Sequence, residues 1–134
     1  ITTPAIMSVS PFRGNLFENL IISDLCKQYF NKGERPSLYF WREQNGRIEI
    51  DCIIEHALKL IAVEIKSSES TVSAFLENLV DWNELSKTNP EDNYLIYAGK
   101  SNQTRSRGTV MSWQKIGTFI DALEKKVIKS LRKK

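Results

Sequence analysis

The chain has 134 residues and a mass of 15.4 kDa, with 41% hydrophobic and 26% charged side chains, which suits one globular domain and excludes a disordered, collagenous or coiled-coil polypeptide. Two cysteines, Cys26 and Cys52, are too few for a disulfide framework and predict a reducing, cytoplasmic setting, and no apolar stretch approaches the roughly 18 residues of a membrane span, so no membrane partner is expected. The net charge of +3 is unevenly spread: residues 1–99 carry 9 Lys/Arg against 14 Asp/Glu and residues 100–134 carry 10 against 2, a basic end compatible with nucleic-acid phosphates or with a solvated helix terminus.

The chain begins at Ile1 and is read as a segment of a longer polypeptide, in which residues 1–13 form a linker or added strand and 14–134 a single domain. From Asn15, a plausible N-cap, Leu16, Phe17, Leu20, Ile21, Leu25 and Tyr29 recur at helical spacing, predicting a helix over about 15–30. The compact run Leu38-Tyr39-Phe40-Trp41 is a strand leading to the hairpin signal Asn45-Gly46. A second strand over 47–55 follows, its even positions Ile48, Ile50, Cys52 and Ile54 read as one core face and its odd positions as polar. His56 is expected as an exposed turn residue. Residues 60–66 form a third strand with Ile61, Val63 and Ile65 on one face and Leu60, Ala62, Glu64 and Lys66 on the other.

Ser70 or Thr71 can cap a second helix to about Leu85, with Val72, Phe75, Leu76, Leu79 and Val80 on one side. Residues 93–98 make a fourth strand. The polar stretch 100–108 reads as a loop, Val110-Met111 as a short extra strand, and a last helix starts near Ser112, apolar at Ile116, Phe119, Ile120, Leu123, Val127 and Leu131. The order is αβββαβ with a C-terminal helix, an α/β fold with a mixed central sheet flanked by helices.

Tight joining of the second and third strands sets Asp51 roughly opposite Ala62 to Glu64, and period two puts Glu64 and Lys66 on one face. Two carboxylates and an ammonium then converge, hard oxygen ligands suited to Mg²⁺ or Mn²⁺ with a lysine to orient a water; a cross-strand salt-bridge patch on a solvated face is the alternative. Glu18 lies on the helical stripe of Ile22, Leu25 and Tyr29, where a carboxylate needs a partner such as that cluster or Lys66, unless it sits at the stripe's edge and reaches water. Trp41, Trp82 and Trp113 are read as packing, with base stacking as the alternative. Arg105 and Arg107 in the polar loop, and Lys129 and Arg132 with Lys133 and Lys134 at the end, are candidate phosphate contacts. No Gly-rich phosphate loop of the Walker type occurs, so this segment carries no ATP site of that kind.

The blocks Gly14-Asn15-Leu16-Phe17-Glu18-Asn19-Leu20, Tyr39-Phe40-Trp41-Arg42, Glu49-Ile50-Asp51 and Val63-Glu64-Ile65-Lys66-Ser67 resemble, in order, the uncharacterised C-terminal domain of prokaryotic AAA+ ATPases. The resemblance spans about residues 10–131. That family is similar to the PD-(D/E)XK nucleases, which implies a restriction-endonuclease-like core, an AAA+ ATPase domain upstream in the same polypeptide, and metal-dependent hydrolysis of nucleic-acid phosphodiesters. It further implies that Asp51 and Glu64 match the metal-binding acids, Lys66 the motif lysine and Glu18 the helix glutamate, with a backbone carbonyl near Ile65 completing the metal shell. Ile50 stands where the motif usually has proline. Two other functions are carried beside nuclease action: a catalytically inactive module presenting DNA or a protein partner to the ATPase, and a regulatory or oligomerisation domain.

Overall fold

A computed structural model of the chain describes residues 13–69 and 76–132. Helix α1 spans Arg13–Asn31 and is followed by β1 (Leu38–Arg42), β2 (Glu49–His56), β3 (Lys59–Lys66), α2 (Glu77–Ser86), β4 (Asn93–Tyr97), β5 (Gln103–Arg105), β6 (Gly108–Ser112) and α3 (Phe119–Arg132), with 3-10 turns at Pro90–Asp92 and Trp113–Thr118. The six strands form one mixed sheet in the order β1-β2-β3-β4-β6-β5. β1, β2 and β3 pair antiparallel, β3, β4 and β6 run parallel, and β5 returns antiparallel to β6. The mixed α/β architecture read from the sequence is therefore present.

Each face of the sheet has its own core. On one side Phe17, Ile21, Leu25 and Tyr29 of α1 pack with Cys52, Ile54, Ile61, Val63, Ile65 and Ile96 and with Phe119, Ile120 and Leu123 of α3. On the other, Leu79 and Trp82 of α2 pack with Ile48, Ile50, Ile53, Ala62, Leu95, Tyr97 and Val110. Burial on both faces explains why the middle strands are almost continuously apolar.

Several boundaries and assignments differ from the sequence reading. α1 starts at Arg13, so Asn15 lies inside the helix rather than capping it. The expected start of the second helix, with Ser70, Thr71, Val72 and Phe75, lies outside the described residues; its end is set by Lys87, in the left-handed conformation at φ 59°, whose N–H bonds Asn83 O. The stretch read as a loop contains β5, which hairpins back so that β6 lies between β4 and β5. Polar side chains suit β5 because it is short and at the sheet edge.

Ser112 does begin the last helical segment, its Oγ accepting the Gln114 N–H, but through a 3-10 turn before α3. The apolar stripe of α3 is buried only as far as Leu123; Leu131 is 65% exposed.

The largest correction in a strand concerns β2. Tyr39 pairs with Ile53 but Trp41 pairs with Ile50, so the single residue Phe40 faces both Asp51 and Cys52. This bulge reverses the alternation. Cys52 and Ile54 enter the α1-side core, whereas Ile48 and Ile50 enter the α2-side core, and the even positions do not share one face. His56 is buried rather than exposed, because its Nδ1 lies 3.0 Å from the Tyr29 hydroxyl under α1.

Candidate functional site

The β2–β3 ladder runs from His56–Lys59 to Cys52–Val63. One position further, side chains replace the backbone partners. Asp51 Oδ2 accepts the Ile65 N–H at 2.8 Å, and Glu64 Oε1 accepts the Asp51 N–H at 3.1 Å. Lys66 Nζ lies 3.6 Å from Glu64 Oε2. The structure thus places Asp51, Glu64 and Lys66 together where the ladder ends, next to the bulge in β2.

Glu64 is only 1% exposed. Burial, then the neighbouring Asp51 charge, pushes its carboxyl up to about 7, against the pull of Lys66 and the Asp51 N–H. Asp51 is also raised, chiefly by burial, while the Ile65 N–H and Lys66 oppose the shift. Glu18, half-buried on α1, is raised by burial and next by Asp51, with Lys66 lowering it. The helix glutamate therefore shares the field of the sheet residues. Three carboxyls sense one ammonium, and negative charge is held here in poor solvent.

A hydrated hard cation fits this donor set. Asp51 and Glu64 each commit one oxygen to a backbone N–H, and Asp51 Oδ1 and Glu64 Oε2, the latter 3.6 Å from Lys66 Nζ, are the oxygens a cation would take. Among the described residues no group of three or more His, Cys, Asp or Glu side chains could hold a metal ion. A cation held by this pair alone would keep most of its waters.

The basic candidates stand elsewhere. β3, β4 and β6 run parallel, so Lys66, Tyr97 and Ser112 share one end of the sheet. Arg105 and Arg107 flank the β5–β6 turn at the opposite end, where Arg105 donates to Gln103 Oε1 and the Arg107 carbonyl accepts from Asn93 Nδ2. Lys129 lines a cavity of about 270 Å³ with His56, Lys59 and Asp92, at the far end of β3 from Lys66 and about 23 Å away along the strand. Arg132 is exposed in the last turn of α3, and Lys133 and Lys134 lie outside the described residues. None of the four is brought beside Asp51.

Of the tryptophans, Trp82 is buried and Trp41 packs on it, ring centroids 5.5 Å apart, as the packing reading expects; Trp113 is 36% exposed at the end of β6. The bulge at Asp51-Cys52 escaped the sequence reading, although the consecutive apolar residues Cys52, Ile53 and Ile54 signal a strand buried on both sides.

A family model described as Domain of unknown function (DUF4143) matches residues 13–116, and the chain belongs to that family. No curated protein and no solved structure matches the chain.

Proposed function

We propose that this member of the family is a restriction-endonuclease-like, PD-(D/E)XK nuclease domain that hydrolyses nucleic-acid phosphodiesters with Mg²⁺ or Mn²⁺ and is attached to an upstream AAA+ ATPase in the cytoplasm. The observation that carries the reading is the reciprocal bonding of Asp51 and Glu64 across the end of the β2–β3 ladder, with Lys66 beside it. Asp51 and Glu64 would hold the cation, which when bound supplies positive charge at the phosphate and an acidified water. Lys66 holds its ammonium over the Glu64 side of the pair, 33% exposed, where it can orient a water and offset charge building on phosphate oxygens. Glu18 adds negative potential that strengthens cation binding. Metal-dependent cleavage of plasmid or oligonucleotide, abolished by Asp51→Ala with the fold retained, tests the reading.

A second reading is favoured by the separation of Arg105, Arg107 and Lys129 from the acid pair. In it the domain is a catalytically inactive module that presents DNA or a protein partner to the ATPase. It predicts binding without metal-dependent turnover, and, where the partner is DNA, loss of that binding when Lys129, Arg132, Lys133 and Lys134 are all replaced by Ala.

A further inference from the structure

β1 is an edge strand with three consecutive aromatic residues, and they divide between its faces. Trp41 packs against Trp82, and Tyr39 donates from its hydroxyl to Glu55 Oε2 at 3.5 Å. Both are occupied on the α2 side. Phe40 is two residues on from Leu38, which packs against the α1-side core, so period two turns Phe40 to that same side. The ring is 61% exposed. Among the described residues the ring pairs are Tyr29–His56, Trp41–Trp82 and Tyr94–Phe119, and Phe40 belongs to none of them.

The place of this ring is set by the bulge. Phe40 faces Asp51 and Cys52 in the β1–β2 register, two residues of one strand opposing one of its neighbour. An exposed aromatic face therefore adjoins the candidate metal-binding acid at the β1 edge of the sheet, on its α1 side. Arg42, on the same face by period two, pairs with Glu49 at 2.8 Å, with both side chains largely exposed. Such a surface pair is worth little, and the guanidinium can exchange it for a phosphate.

Resting on the proposed nuclease reading, we infer that Phe40 stacks on an unpaired base next to the phosphate that a cation on Asp51 and Glu64 would hold, and that the substrate is single-stranded nucleic acid. The phenyl ring has no hydrogen-bonding group, so it can recognise a base only through its π-face. In a duplex those faces are covered by neighbouring base pairs, whereas a single strand presents them. Phe40 is a positioning and specificity residue in this account.

The test measures binding of a fluorescein-labelled single-stranded oligonucleotide and of the duplex of the same sequence to the 134-residue chain, in Ca²⁺ to prevent turnover. Wild type should prefer the single strand, Phe40→Ala should weaken that binding about 5- to 100-fold, and Phe40→Trp should restore it. In Mn²⁺, Phe40→Ala should raise KM with kcat little changed, and circular dichroism should be unaltered because the ring is exposed. Equal single-strand binding by Phe40→Ala and wild type, or wild-type preference for duplex, overturns the inference. Failure of both oligonucleotides to bind also overturns it, in favour of a partner protein's strand on the β1 edge. Asp51-dependent cleavage indifferent to Phe40 sinks the stacking role and keeps the nuclease; Phe40-dependent binding with no cleavage by any protein keeps the stacking role and sinks the nuclease.

Discussion

Asp51 and Glu64 close the end of the β2–β3 ladder with their side chains: Glu64 Oε1 takes the Asp51 N–H at 3.1 Å, and Asp51 Oδ2 takes the N–H of Ile65 at 2.8 Å. Each carboxylate is fixed by the other's strand. The arrangement stabilises a position for two negative groups that burial and mutual repulsion make unfavourable, and that tension yields measurable consequences.

Stability should fall as pH rises. The Glu64 carboxyl titrates near 7 in the folded chain and at the ordinary 4.5 when unfolded, so between those values the folded state binds more protons and stability declines with pH. The contribution is complete below about pH 4.5 and lost as pH passes 7, on the order of 3 kcal/mol. Asp51 and Glu18, also raised, act in the same direction. Urea unfolding at pH 5 and pH 8 should show the loss in wild type and a smaller one in Glu64→Gln; a wild type more stable at pH 8 would contradict it.

Divalent cations should reverse the loss. At pH 8, millimolar Mn²⁺ should raise the melting temperature of wild type through preferential binding to the folded state. Asp51→Asn and Glu64→Gln should each remove most of the shift. An equal shift in all three proteins would place the ion elsewhere.

Tyr29→Phe should cost about 1 kcal/mol by removing the hydroxyl that lies 3.0 Å from buried His56 Nδ1. Glu124→Gln, by contrast, removes only a part-exposed group 3.8 Å from His56 Nε2 and should change stability little. Urea midpoints of the two variants decide the order.

Much of this was legible in the sequence, and its failures have physical reasons. Glu64 and Lys66 could be paired because β3 alternates without interruption, and Glu18 stood out as a carboxylate on an apolar helical stripe. β2 misled because a strand buried on both faces is apolar at either parity, so Ile48, Ile50, Cys52 and Ile54 look alike whether or not a bulge divides them. His56 ends β2 and precedes a two-residue turn, which suggests exposure; only the overlying Tyr29 reverses that. The basic residues were visible as a cluster in sequence, but distribution along the chain does not reveal that Arg107 and Lys129 sit at the sheet end opposite Lys66.

The decisive measurement is cleavage of supercoiled plasmid and of a single-stranded oligonucleotide in Mn²⁺ or Mg²⁺ by wild type, Asp51→Ala and Lys66→Ala. Wild type should cleave in a metal-dependent way, and each variant should lose at least about 100-fold while circular dichroism shows the fold intact, as loss of a metal ligand or a charge-stabilising group requires. Cleavage undiminished in Asp51→Ala, or no metal-dependent cleavage by wild type, would contradict it.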